Sequence, residues 1–129
     1  TLQPIAELGE VVAEGDVVFH TDAVQAAGKI VLDVEDLGVD LLTISGHKFY
    51  GPKGTGCLYR RKGTRLESIQ LGGHHEGNLR AGTENVPGLG GMAMALELAC
   101  EELPEEGETD DETAETESSE TAGEGEEGN

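Results

Sequence analysis

The 129-residue sequence has no tryptophan and only two phenylalanines and two tyrosines. Cysteine is equally scarce, because Cys57 and Cys100 are the only two, and they lie too far apart to suggest a disulfide framework or a zinc site. Eight basic residues against 27 acidic ones argue against binding to nucleic acid or to an anionic membrane. No apolar run approaches the roughly 20 residues that span a bilayer, and no signal peptide is visible. A reducing cytoplasm is therefore the predicted location.

Charge divides the chain into two parts. Residues 1–100 contain 13 acidic and 8 basic residues, whereas residues 101–129 contain 14 acidic residues and no basic ones. After Leu103 large apolar side chains are almost absent, so this segment cannot bury enough surface to offset the entropy of ordering it. The sequence predicts a foldable part over residues 1–103 and a disordered acidic tail over residues 104–129.

Hydrophobic patterning in the foldable part predicts an α/β order of elements. Helices are expected at residues 4–14 and 85–102, where apolar positions recur at helical spacing. Short apolar runs predict strands at residues 16–20, 39–45 and 57–61, the third antiparallel to the second because the link between them is short. These strands look buried on both faces, yet few helices are available to cover them. The pattern therefore predicts part of a larger α/β domain.

Polar residues follow the first two predicted strands. Lys48 comes just after residues 39–45, and Asp22 and Gln25 come just after residues 16–20. Lysine is rarely placed against a core unless its amine is needed, and a partly desolvated amine can act as a nucleophile toward a carbonyl. Because the carboxyl ends of parallel strands meet at one sheet edge, we expect one shared site there.

Three motifs in order carry a family resemblance. They are HTDAVQA at residues 20–26, SGHKFYGPKG at residues 45–54 and RAGTENVPG at residues 80–88. Together they resemble the cysteine desulfurases, pyridoxal-phosphate (PLP) enzymes of the class V aminotransferase group. The resemblance implies that residues 1–103 form a central part of the large domain of a PLP-dependent transferase. That domain is aspartate aminotransferase-like (fold type I), with a mixed sheet flanked by helices.

The resemblance also implies roles for residues at the ring of the cofactor. Lys48 matches the lysine that tethers PLP covalently. Asp22 matches the aspartate that keeps the pyridine nitrogen protonated, which makes the ring an electron sink. Gln25 matches the residue that hydrogen-bonds the phenolic oxygen of the ring.

Three further matches concern the phosphate of the cofactor. Ser45 and His47 match phosphate-binding residues. Thr83 matches a threonine that reaches the phosphate in the neighbouring subunit, which implies a homodimer. Taken singly, each of these residues also has an ordinary structural explanation: Asp22 and Thr83 suit turn or helix caps, and Lys48 suits a surface position.

The implied reaction removes sulfur from L-cysteine, giving L-alanine and an enzyme persulfide. The implied partner is a sulfur acceptor or scaffold protein for iron–sulfur cluster or thio-cofactor assembly. Two alternatives stay open: a non-catalytic remnant or interaction module of the family, and a selenocysteine lyase-like relative in class V.

The sequence also departs from the family pattern. The catalytic cysteine loop of the family has no match here, since Cys57 is expected to be a small buried strand residue and Cys100 lies on the final helix. The loop GGHHEGN at residues 72–78 departs from the usual motif at three positions: His74 and Asn78 stand where the family has glycine, and Gly77 stands where it has arginine. Its adjacent histidines, His74 and His75, do not predict a metal site, because neighbouring side chains rarely converge on one ion.

Overall fold

The structure, a computed structural model, describes residues 1–104. It contains two α-helices and three β-strands in one sheet: α1 (Ile5–Ala13), β1 (His20–Asp22), β2 (Leu41–Ser45), β3 (Gly56–Arg60) and α2 (Val86–Glu101). Two short 3-10 helices, at Gly46–Phe49 and Glu76–Asn78, follow β2 and precede α2. Apart from Pro104, the predicted acidic tail lies outside the described residues.

The three strands form a mixed sheet with β2 in the centre. β1 runs parallel to β2, and β3 runs antiparallel to it, as the short link predicts. In the parallel ladder His20 pairs with Leu41 and Asp22 pairs with Thr43. This register brings the carboxyl ends of β1 and β2 to the same edge of the sheet.

The first strand lies later in the chain than predicted. It was expected at residues 16–20, but the paired residues are His20–Asp22. The Phe19 amide donates a hydrogen bond to the Asp40 carboxylate (2.9 Å), and the Phe19 carbonyl accepts from Asp40 and Leu41. Pairing with β2 therefore starts only here, while Val17 and Val18, which made the run look like a strand, remain 64% and 56% exposed.

The core consists of two small clusters on one side of the sheet and around the turn after β2. Ala23, Val39 and Leu42 form the first cluster. Ala27, Phe49 and Met92 form the second, in which α2 packs against the turn. Within residues 1–104 these six apolar residues and Ala81 are the buried hydrophobic ones, which is a small core for an α/β unit.

Burial of β3 differs from the prediction. All of its residues except Tyr59 are exposed, and Cys57, expected to be buried, is exposed as well. β3 is one of the two edge strands of the sheet, so among the described residues no neighbouring strand covers its outer side. The expectation that the strands are buried on both faces is not met within residues 1–104, because Leu42 is the only strand residue that is buried.

The last helix begins and ends within one residue of its predicted bounds. The Asn85 side chain accepts a hydrogen bond from the Gly88 amide (3.2 Å), which caps the helix, and Pro87 lies in its first turn. Neither this helix nor any other in residues 1–104 combines the length and the apolar character that crossing a membrane requires.

Candidate functional site

The candidate site lies at the shared carboxyl edge of β1 and β2. Asp22, the last residue of β1, is paired with Thr43, and Ser45 ends β2 two residues later. Because side chains alternate between the faces of a strand, Asp22, Thr43 and Ser45 lie on the same face of the sheet. The structure therefore brings two of the predicted residues, Asp22 and Ser45, to one face at one edge.

Asp22 is exposed, and its carboxylate already has one backbone partner. Oδ1 of Asp22 accepts a hydrogen bond from the Val24 amide (2.9 Å) and so shapes the turn that follows β1. A carboxylate has several acceptor positions, so this bond leaves capacity for another donor. The turn-capping role and a ligand-binding role are thus compatible in one side chain.

Ser45 and His47 form a hydrogen-bonded pair. The Ser45 hydroxyl lies 2.9 Å from His47 Nδ1, across the start of the 3-10 helix. Ser45 is half-buried at the end of β2 and His47 is exposed. The bond orients the imidazole, and both groups can hydrogen-bond an anion such as a phosphate.

Lys48 lies in the middle of the 3-10 helix Gly46–Phe49 and is half-buried. The next residue, Phe49, is 2% exposed and anchors the turn in the core. Tyr50 then takes a left-handed conformation (φ 64°), and the Gly51 amide returns to the Gly46 carbonyl (2.8 Å). The turn is therefore closed on itself, and Lys48 is presented from a fixed backbone. The other lysines of the chain, Lys29, Lys53 and Lys62, are all exposed.

Gln25 is exposed in the turn that follows Asp22. That turn is attached to the central strand, because the Ala23 amide donates to the Thr43 carbonyl (2.9 Å). Gln25 therefore follows β1 at the same sheet edge as Asp22.

Thr83 is not part of this cluster. It is exposed and lines a groove of about 950 Å³ between β3 and the start of α2. None of the other five predicted site residues lines that groove. Five predicted residues thus lie at or just after the carboxyl ends of β1 and β2, whereas Thr83 lies in the loop before α2.

The loop that departs from the family motif has an unusual backbone. Glu76, Gly77 and Asn78 all have positive φ, and His74 Nδ1 lies 2.5 Å from Asn78 Oδ1. Asparagine tolerates the left-handed region better than most residues, which explains how Asn78 can occupy a position where the family has glycine. In residues 1–104 no three metal-ligating side chains come together here or elsewhere.

Two residues at the site were missed by sequence reasoning. His20 Nε2 lies 2.8 Å from the Thr43 hydroxyl, so these side chains bridge β1 and β2 on the same face as Asp22. The strand alternation of His20 with Asp22 was the only available signal, and it was hidden because β1 was placed too early.

These residues fit PLP by their chemistry. A half-buried lysine, a carboxylate with spare acceptor capacity and a hydroxyl–imidazole pair suit an aldehyde, a pyridine nitrogen and a phosphate, respectively. All of them lie at the last residue of β1 or β2 or within a few residues after it, as expected for ligands at the carboxyl edge of a parallel pair.

The chain is similar to known proteins in sequence and in fold. The chain is 57% identical over 106 residues to a cysteine desulfurase IscS of Dictyoglomus turgidum, covering 82% of this chain and 27% of that protein. Among solved structures, a NifS-like protein superposes with a TM-score of 0.75 at 45% identity, over 79% of this chain and 28% of that one. SspA in complex with cysteine gives a TM-score of 0.72 at 45% identity, over 75% and 28%.

The chain thus spans about a quarter of the length of the curated relatives it matches. The family model of the class-V aminotransferases matches residues 1–121, which is nearly the whole sequence. The structural neighbours share its mixed sheet with helices and are NifS-like enzymes at well above 25% identity. On these grounds the chain belongs to the aminotransferase class-V family.

Proposed function

We propose that this chain carries the PLP-holding segment of a cysteine desulfurase. The observation that carries the proposal is the position of Lys48, half-buried on a closed turn directly after β2. The Ser45–His47 pair precedes it, and Asp22 ends the neighbouring parallel strand. The similarity to proteins named cysteine desulfurase, and to SspA in complex with cysteine, supports the choice of reaction.

Each residue has a separate role in this proposal. Lys48 tethers the cofactor and moves a proton at the α-carbon of the substrate. Asp22 holds a proton on the pyridine nitrogen, and Gln25 donates to the phenolic oxygen. Ser45 and His47 bind the phosphate. When bound, PLP supplies the electron sink that this chemistry requires.

The overall reaction breaks the carbon–sulfur bond of L-cysteine. The sulfur passes to a cysteine thiolate as a persulfide, and the carbon skeleton takes up a proton to give L-alanine. Neither Cys57 nor Cys100 is proposed as that thiolate. Cys57 is paired with Ile44, so it lies on the opposite face of the sheet from Asp22 and Ser45. Cys100 lies in the last turn of α2.

The wider assignments belong to the same proposal. Residues 1–103 form part of the transferase large domain, and residues 104–129 form an acidic tail. Thr83 reaches the cofactor of a second subunit in a homodimer, which suits its separation from the other five residues. The protein acts in the cytoplasm and passes sulfur to an acceptor or scaffold protein.

A chimaera tests the proposal without relying on this chain alone. Residues 1–103 replace the matching segment of the Dictyoglomus turgidum IscS, and the purified chimaera is given PLP and L-cysteine. We expect L-alanine and, under a thiol reductant, sulfide in equal amounts. Lys48→Ala in the chimaera abolishes both products, whereas Lys53→Ala, which removes an exposed lysine five residues away, leaves them unchanged.

The outcomes separate the alternatives. A folded chimaera that binds PLP but releases no alanine contradicts the proposed reaction and favours a non-catalytic remnant. Turnover of L-selenocysteine without turnover of L-cysteine indicates the selenocysteine lyase-like reaction instead. Activity that survives Lys48→Ala contradicts the role of Lys48.

A further inference from the structure

Thr55 is the one buried polar residue among residues 1–104, with 7% of its surface exposed. It follows the glycine-rich turn and immediately precedes β3. Its hydroxyl donates a hydrogen bond of 2.7 Å to the Pro52 carbonyl. The bond fixes the rotamer of the side chain, because a buried hydroxyl without a partner is unfavourable.

The same residue lies directly against the turn that carries Lys48. The Gly46 amide donates to the Thr55 carbonyl (3.0 Å). A Cβ atom at Gly46 would lie 2.5 Å from Thr55 Oγ1, so the hydroxyl fills the space that a side chain at Gly46 would need. Thr55 thereby sets where the 3-10 helix Gly46–Phe49 begins.

Thr55 also lies against the first turn of α2. A Cβ atom at Gly88 would lie 2.8 Å from Thr55 Cγ2. Helix α2 in turn packs on the far end of the Lys48 turn, because Met92 and Phe49 belong to the same core cluster. The two ends of the turn are therefore held by Thr55 at Gly46 and by α2 at Phe49.

We propose that Thr55 is a positioning residue for Lys48. Its hydroxyl locks the side chain between Gly46 and Gly88 and so keeps the Lys48 amine half-buried at the sheet edge. The inference rests on the proposed function for its significance, since Lys48 is the proposed PLP lysine. The effect of Thr55 on the surroundings of the Lys48 amine, seven positions away, can be measured without PLP.

The test is competitive acetylation of the full 129-residue chain with limiting acetic anhydride in the absence of PLP. Mass spectrometry gives the acetylation of Lys48 relative to exposed Lys53, with exposed Lys62 as an internal reference. In the unaltered chain Lys48 reacts less than Lys53, because it is half-buried. In Thr55→Val the Lys48-to-Lys53 acetylation ratio rises about fivefold. This is the change in an equilibrium constant expected when one hydrogen bond that holds the Lys48 turn is lost. The Lys62-to-Lys53 ratio does not change.

Two further variants isolate the hydroxyl. Thr55→Ser keeps the hydroxyl and restores the ratio of the unaltered chain. Thr64→Val is the matched control, because the hydrogen bonds of Thr64 are made by its backbone, and it leaves the ratio unchanged. Circular dichroism checks that each variant is folded.

An unchanged ratio in folded Thr55→Val, or a raised ratio in folded Thr55→Ser, overturns the proposal. If Thr55→Val does not fold, the acetylation ratio of folded Thr55→Ser decides alone. A ratio equal to that of the unaltered chain supports the proposal, and a raised ratio overturns it. Reduction of a PLP adduct with borohydride is run in parallel. It distinguishes failure of the positioning role of Thr55 from failure of the proposed function. A PLP adduct absent from Lys48 together with the expected acetylation ratios contradicts the proposed function and leaves the positioning role intact.

Discussion

Gly88, in the first turn of α2, is where the structure predicts the sharpest difference between two similar substitutions. A Cβ atom at Gly88 would overlap Asn85 Nδ2 and lie 2.8 Å from Thr55 Cγ2. At Gly90, two residues further along the same helix, a Cβ atom would meet nothing within 4 Å. The pair Gly88→Ala and Gly90→Ala therefore compares the same chemical change in the same helix with and without a steric conflict.

The magnitudes follow from three contributions. Displacing the Asn85 amide breaks its cap on the Gly88 amide, and losing an N-cap costs about 1 kcal/mol. Forcing a methyl group against fixed Thr55 costs about 1 to 3 kcal/mol. Alanine gains up to about 1 kcal/mol over glycine in a helix, and less in the first turn. We expect Gly88→Ala to destabilise by roughly 2 kcal/mol and Gly90→Ala to stabilise by up to roughly 1 kcal/mol.

Urea unfolding of the full chain, followed by far-ultraviolet circular dichroism, measures both variants. Domains of this size have total stabilities of about 5 to 15 kcal/mol, so a separation of about 3 kcal/mol is easily resolved. It corresponds to midpoints at least about 1 M urea apart. Equal midpoints for the two variants, or a Gly88→Ala midpoint above that of Gly90→Ala, would refute the packing described between α2 and Thr55.

Two further predictions concern the core and the surface. Phe49→Ala removes a side chain that is 2% exposed and should destabilise by about 3 to 5 kcal/mol, whereas Ile69→Ala, at 99% exposure, should change the unfolding midpoint little. Equal effects in urea unfolding contradict the position of Phe49 in the core. Arg61 donates to the Glu35 carboxylate (2.6 Å) and also to the carbonyls of Val34 and Val39 (both 3.1 Å). We therefore expect Arg61→Ala to destabilise more than Glu35→Gln, and only the Glu35→Gln effect to vanish in molar salt, because exposed ion pairs are screened. Thermal unfolding at low and high salt measures this, and a Glu35→Gln effect as large as that of Arg61→Ala contradicts it.

The central strand and the turn after it were predictable from the sequence for local reasons. The run of branched apolar residues before Ser45 can only be a buried strand or a short buried helix, and the glycines after Tyr50 indicate a turn before the next strand. The final helix was predictable because Asn85, Pro87 and the apolar spacing agree on one start. The direction of β3 followed from the short link alone.

Other features depend on contacts between distant segments and could not be predicted. The start of β1 is set by the Phe19–Asp40 hydrogen bond, which links residues 21 positions apart. The exposure of Cys57 depends on which segments cover β3, and strand patterning contains no information on this. The His20–Thr43 bridge and the burial of Thr55 both require the register of the sheet and the position of α2.

The candidate site also combines features that local sequence predicts with features that depend on distant segments. The order and spacing of Asp22, Gln25, Ser45, His47 and Lys48 predicted one shared edge, because strand ends are local features. The separation of Thr83 from that edge depends on the path of the long loop before α2, which the glycines of the sequence do not determine.

The position of PLP attachment tests the proposed site most directly. The purified chain is incubated with PLP, reduced with borohydride and digested, and the modified lysine is identified by mass spectrometry. A surface reaction would favour the exposed lysines, Lys29, Lys53 and Lys62, over half-buried Lys48. The proposed site predicts that the label lies on Lys48 and disappears in Lys48→Ala. A label spread over the exposed lysines, and unchanged in Lys48→Ala, would contradict it.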